Sequence, residues 1–551
     1  MENIENPRIE NGIGIIPEGT TKIGKVRGQY GIFLGDDTFE RNEELKKVVI
    51  PPSVTIIGCY TFAGCINLEE VVIPDSVTLI DEYAFKGCRN LKNLILPASL
   101  KEIESQAFDG CVSLSKIVIP KSVEKINKDA FINTDLEEIK VEEGNRFYDS
   151  RNNCNGIIEL REKKLLVGCR ATAIPPKVTK IGASAFWGCK SLTKIEIPED
   201  VDTIENYAFW GCGLTSLHIP DTVTNIENAI TACCYDLKSI IVAEENNFYD
   251  SRNNCNAIIL TEYNELIATC PETILPEGIE AIGSRAFCGC GMKEVVLPEK
   301  VKRIDDYAFY LNTEPINVIF PDKAFKTIGK GLFYEASGLS EFVVPEGVTQ
   351  IARNAFFGCT SLVNLSLPST LAEIGKEAFK DCKSLPKIEL PDSVEAIGCD
   401  AFEGCANLMS IKISRRVRIL EVGVFQGCVK LRTMVIPLSI REIRMKAFAN
   451  CKNLEELVIP ESVTFIDRNA FEGCIGLKNI TIDASMNLEE VYFDDSKNVK
   501  TLTFGPNIKK TDGFWGDWAD NLGTIYIPPK KKTYFKNRIP EKYHALIKEK
   551  E

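Results

Sequence analysis

Apolar and polar residues follow one another in a phrase that returns about every 23 residues along most of this chain. The segment VVIPDSVTLIDEYAFKGCRNLKNLILP holds one whole phrase and the start of the next. Its general form is L-x-x-L-x-I-P-x-x-V-x-x-I-x-x-x-A-F-x-G-C-x-x, with Leu68, Val71, Ile73, Val77, Ile80, Ala84, Phe85, Gly87 and Cys88 in one copy. Aligned on the proline, the copies run from Pro51, Pro74, Pro97 and Pro120 to Pro437, Pro460, Asp483, Pro506 and Pro528, nineteen in all. An atypical copy is expected at Pro17. L-x-x-L-x-I reads as a short strand whose alternate residues point inward. The proline ends it by withholding a ladder donor. Val77 with Ile80 forms the next inward pair, Ala84-Phe85 fills the wide part of the coil, and Gly87 supports the turn back. One such unit cannot bury its apolar face alone, but stacked copies share a continuous core. The expected fold is therefore mainly β: a solenoid of 23-residue units over residues 43–528, between an N-terminal cap at 1–42 and a C-terminal cap with a short helix at 529–551.

This unit resembles the repeat of BspA-like, Treponema-type leucine-rich repeat proteins, and the resemblance spans about residues 43–528. It implies a right-handed leucine-rich-repeat solenoid with no enzymatic activity. It also implies a protein of the cell surface or of secretions that adheres to host proteins or to other cells.

Two steps in the series are longer, from Pro120 to Pro175 and from Pro220 to Pro276, and each contains the stretch FYDSRNNCN, at 147–155 and 248–256. After each copy come an apolar run, a polar turn and a second apolar run: GIIEL-REKK-LLVGC and AIIL-TEYN-ELIATC. That pattern is a β-hairpin, so hairpin inserts are expected at about 142–172 and 243–273. Asp149, Asp250 and the asparagines suit side-chain-to-backbone turns. As catalysis the stretch is poor, because a cysteine nucleophile needs an activating base and no histidine lies near either copy. Calcium is disfavoured too, since the D-x-[DN]-x-[DN]-G spacing is missing.

Composition narrows the chemistry further. Only two histidines, His218 and His544, occur in 551 residues, which removes most acid–base and zinc-site chemistry. The twenty-one cysteines mostly recur in the Gly-Cys of the repeat, where a small buried thiol is a common filler. Cys233-Cys234 and Cys288/Cys290 lack C-x-x-C spacing, so no metal and no cofactor are expected. A net charge of −13 makes nucleic acid and anionic membranes poor partners. No run of eighteen apolar residues exists to insert in a bilayer. MENIENPRIE has no signal character, so a cytoplasmic location is expected if Met1 is the native start, against the surface or secreted location that the resemblance implies.

Two rows of residues are candidates for binding a protein ligand, with the protein itself a monomer. The residue after Ala-Phe is mostly charged or small, but becomes Trp187, Trp210, Tyr310, Tyr334 and Phe357 across the middle of the chain. Exposed stacked aromatics serve as protein hot spots or as sugar platforms, so a glycan ligand is the alternative. Packing against the hairpins competes with both. The second row is the outward strand position before the last inward residue, which reads Val49, Val72, Ile95 and Val118 in the first rungs. It stands for an apolar partner-binding strip, or for the preference of strands for β-branched residues.

Overall fold

The structure, a computed structural model, describes residues 7–27, 33–34, 39–321, 325–489, 491–506, 508–511 and 513–550. Parts of the expected N-terminal cap, residues 1–6, 28–32 and 35–38, lie outside the described residues. The chain forms two compact units, Met1–Pro276 and Glu277–Glu551.

In the first unit most turns of the coil contribute two short strands rather than one. Glu70–Val72 pairs in parallel with Lys47–Val49 at Lys47↔Glu70, Val48↔Val71 and Val49↔Val72. Val71 points inward while its two neighbours face solvent, as a period of two requires. Pro74 closes the strand, and its carbonyl accepts the Val77 amide at 3.1 Å. The chain then enters a second parallel ladder, of which Ile56–Ile57, Leu79–Ile80 and Glu102–Ile103 are members. Sequence periodicity shows only the inward pair Val77 and Ile80; two-residue strands are too short to display alternation.

Phe85 lies at the wide end of the coil, wholly buried, stacked on Phe62 at 5.1 Å and on Phe108 at 5.4 Å. The residue before Ala-Phe takes a left-handed backbone at Tyr83, Gln106, Tyr207 and Tyr307, with φ from 54° to 61°. Gly87, at φ +73°, turns the chain back and sits 3.8 Å from Gly64 of the previous turn, measured from where a Cβ would stand.

The two inserts are hairpins, but they are built into the stack rather than appended to it. In the first, Gly156–Glu159 pairs antiparallel with Lys164–Gly168, which in turn pairs in parallel with Lys180–Ile181 of the second ladder. Both faces of this plate are core. Ile157, Leu166 and Val167 pack into the cluster on one side, and Ile158 and Leu165 into the cluster on the other. A strand buried on both faces reads as a continuous apolar run, which is why GIIEL and KLLVG do not alternate. Ala257–Leu260 and Glu265–Thr269 repeat the design with the same bulged register.

The second unit is built from the same two kinds of ladder. Thr433–Val435, Glu456–Ile459, Asn479–Ile482, Thr501–Phe504 and Thr524–Ile527 form a parallel sheet. Its last member, Ile547–Glu549, comes from the C-terminal cap. The same C-terminal segment contains a short helix, Lys532–Lys536. It also supplies this closing strand, with Ile547 buried and Lys548 and Glu549 exposed, so charges guard the sheet edge.

Candidate binding surfaces

The duplicated polar stretch is used up in holding its hairpin. Asn145, nine-tenths buried just before it, donates to the carbonyls of Pro120 and Val123 at 3.0 and 2.9 Å. Its Oδ1 accepts the amides of Phe147 and Tyr148 at 2.8 and 3.0 Å. The Tyr148 hydroxyl accepts the Ile126 amide at 2.9 Å, and Ser150 accepts from Val141 and donates to Gly156. Arg151 pairs with Asp149 at 2.8 Å. Asn152, Asn153 and Asn155 occupy left-handed positions with φ of 50–56°, where asparagine is the best-tolerated residue with a side chain. Asn246, Tyr249, Ser251 and the Asp250–Arg252 pair repeat these contacts in the second copy. Burial pushes the Cys154 thiol up to about 11, leaving it protonated at neutral pH and a poor nucleophile.

The repeat cysteines also have a structural task, one that composition did not reveal. Most of these thiols donate to the carbonyl of the phenylalanine one turn earlier, as Cys88 does to Phe62 and Cys405 to Phe379, at 3.1 and 3.2 Å, while Cys189 turns to Asp135. Where Asn312 replaces the cysteine, its amide donates to the same acceptor, the Phe287 carbonyl, at 2.8 Å. Burial raises these thiols, Cys65 to about 11 and Cys189 to about 12. Among the described residues no group of three or more His, Cys, Asp and Glu side chains could hold a metal ion.

The aromatic row is partly covered, with Trp187, Tyr310, Tyr334 and Phe357 half-buried and Trp210 buried. Trp187 and Trp210 stack at 4.9 Å, and Tyr207 meets both edge-on at 5.4 and 5.5 Å. Trp210 is left only 9% exposed. Tyr310, Tyr334 and Phe357 belong to the second unit, where Tyr334 stacks on Phe357 at 4.6 Å and Tyr307 packs edge-on against Tyr310 and Tyr334. Burial, then Glu335, pushes the Tyr310 hydroxyl up to about 12. The rings satisfy one another because Tyr207 and Tyr307, at the left-handed position before Ala-Phe, swing beside them. The Y-A-F spelling was the signal that could have shown this.

The strand row behaves differently. Val49, Val72, Ile95 and Val118 are 52, 44, 84 and 48% exposed, one from each of four successive turns. Val49 and Val72 face each other directly across the parallel pair. Two shallow grooves run between these turns, about 450 Å³ beside Val72 and Ile95 and about 490 Å³ beside Ile95 and Val118. Lys47–Glu70 and Lys116–Glu138, each at 2.9 Å, are charge pairs that neutralise one another along the flank. Further along the same unit the row turns polar at Glu196 and His218 before Ile241.

Two short parallel ladders per turn, closed by stacked phenylalanines, define a leucine-rich repeat solenoid. The family described as BspA type leucine rich repeat region matches residues 33–155, 168–266, 268–385, 326–455, 372–500 and 418–539, and the chain belongs to that family. No curated protein matches it. Among solved structures, a leucine-rich repeat protein from Bacteroides ovatus is 22% identical, with 90% of this chain and 94% of that one covered and a TM-score of 0.27. A leucine rich cell surface protein from Faecalibacterium prausnitzii is 24% identical, with 87% of each chain covered and a TM-score of 0.24. The T. pallidum leucine rich repeat protein is 23% identical over 37% of this chain and 90% of its own, with a TM-score of 0.25. Among the described residues no helix is long and apolar enough to cross a membrane.

Proposed function

We propose that this chain is a non-enzymatic recognition scaffold that docks a protein ligand on the strand face of its first unit, in adhesion or a related interaction. The observation that carries this reading is the row Val49, Val72, Ile95 and Val118, four apolar side chains 44–84% exposed on successive turns, the first two paired across a parallel ladder. A fixed row of this kind costs little ordering entropy when a partner covers it. Complete burial of one such side chain is worth about 1.5–3 kcal/mol. Trp187, Trp210, Tyr310, Tyr334 and Phe357 are the second choice, because their ring faces already meet other rings. Of the two locations, the family's habit favours the cell surface over the cytoplasm. Labelling of intact cells that never reaches the protein would return it to the cytoplasm.

The test sets the purified chain against immobilised host and bacterial surface proteins and, in parallel, a glycan array. A protein ligand whose affinity falls at least tenfold in Val72→Ser/Ile95→Ser/Val118→Ser supports the reading. Glycan binding that survives this triple change and disappears in Tyr310→Ala/Tyr334→Ala would replace it with the sugar-platform alternative.

A further inference from the structure

The second unit carries a surface whose charge opposes that of the whole protein. Between residues 412 and 446 stand nine lysines and arginines against two glutamates, in a chain of net charge −13. Lys412, Arg415, Arg418 and Arg441 are all exposed. They come from two successive turns whose second-ladder strands, Ile419–Leu420 and Glu442–Ile443, pair in parallel. Arg418 and Arg441 occupy the same place in their turns, the Arg441 amide donating to the Arg418 carbonyl at 2.7 Å. Two like charges one rung apart repel, and elsewhere in the solenoid opposite charges pair between turns, as in Lys101–Glu124, Lys380–Glu403 and Lys478–Glu455. Among the described residues no carboxylate pairs with Lys412, Arg415 or Arg418. Glu389 stands across from Lys412 in register without closing a bridge. Arg416 is taken by Glu395, and Arg441 spends one guanidinium nitrogen on the Ser462 carbonyl. The island is bounded, with Asp392 and Glu395 on the turn before and Glu461 on the turn after. Val435 and Leu438, 80% and 66% exposed, lie on the same turn as Arg441.

We propose that this island is a docking site for an acidic protein segment that also carries apolar side chains. Guanidinium forks bind carboxylates in pairs of parallel hydrogen bonds. The exposed valine and leucine add an apolar contact that a purely polar polyanion cannot use. That combination favours a peptide over a sulfated polysaccharide or a nucleic acid. The site is separate from the valine row of the first unit and stands whether or not that row binds.

The experiment uses the full chain and fluorescence anisotropy with a labelled peptide that alternates Glu or Asp with Leu or Phe. A poly-glutamate peptide of equal charge, a sulfated oligosaccharide and a single-stranded DNA oligonucleotide serve as competing probes. The expected result is binding that weakens with salt, is strongest for the acidic–apolar peptide, and falls at least tenfold in Arg415→Glu/Arg418→Glu/Arg441→Glu. Leu438→Ser should lower it three- to tenfold. Reversal of the distant Lys293 and Lys300 should leave it unchanged, and the milder Arg418→Gln/Arg441→Gln, checked for unaltered circular dichroism, guards against misfolding. Absence of peptide binding, indifference to both sets of arginine changes, or a preference for the sulfated or nucleic-acid probe would overturn the proposal. So would a wild-type dimer that the triple change dissolves, since the occupant would then be a second copy.

Discussion

Replacing Asn145 with alanine tests whether the duplicated stretch is construction rather than chemistry. The amide donates to two carbonyls and accepts two amides, all at 3.0 Å or less, from a site nine-tenths buried. Pro120 keeps a second donor, the Val123 amide, but the Val123 carbonyl and the amides of Phe147 and Tyr148 lose the bonds described. An unsatisfied buried polar group costs about 1–3 kcal/mol, and partial hydration at the exposed Phe147 recovers some of it, so the expected loss is about 2–4 kcal/mol. Because the damage is local, hydrogen exchange followed by mass spectrometry is the better assay. Protection over residues 145–168 should fall, while the turns before Pro97 keep theirs. Asn246→Ala should lower the second hairpin by a similar amount, since its bonds match to within 0.2 Å. Glu143→Ala, at an exposed neighbour, should cost less than about 0.5 kcal/mol. An Asn145→Ala protein with unchanged exchange and stability would refute the reasoning. Loss of a binding or catalytic activity from that variant with the hairpin intact would restore the stretch as a site.

Other consequences are equally direct. At pH 8 a thiol reagent should label the partly exposed Cys233 and Cys399 first and reach the buried repeat cysteines only on unfolding. Burial holds those thiols above their unfolded value of about 8.5, so their neutral form is favoured by folding, and urea titrations should show stability falling as pH rises beyond that value. Lys140 and Lys116 hold the Glu138 carboxyl down at about 2. Its contribution is therefore present above the unfolded carboxylate value and lost as pH falls toward 2, which NMR titration in wild type and Lys116→Met/Lys140→Met should register as an upward shift in the variant. Gly331→Ala would place a Cβ 2.2 Å from the Tyr307 ring at a backbone φ of +57°. It should destabilise by about 1–3 kcal/mol, and pairing it with Tyr307→Ala should cost less than the two single losses added together.

Much of the architecture could be read from the chain because it repeats. Leu68, Val71, Phe85 and Cys88 each recur often enough to reveal the buried column they belong to, and the hairpins showed through their two apolar runs. The second ladder was hidden, since a pair such as Leu79–Ile80 is too short to alternate. The built-in hairpin was hidden for a related reason, as Ile157 and Ile158 are both core and a run of apolar residues does not say on which faces it is covered. At Trp210 the residue type was right for a platform, but the neighbour that closes over it, Tyr207, lies three residues away on the same turn. The basic island escaped because net charge averages over the chain, whereas Arg418 and Arg441 come together only once the 23-residue step is folded.

On the function proposed, a protein ligand lies along the valine row of the first unit. A photo-crosslinking residue placed at Ile95, and separately at the exposed Arg89 on the turn away from the strands, tests it most directly with a ligand identified on the protein array. The expected result is a strong adduct from position 95, none from position 89, and loss of the first when Val72 and Val118 are changed to aspartate in a protein that still folds. Equal adducts from both positions, or an adduct at 95 indifferent to Val72 and Val118, would contradict it.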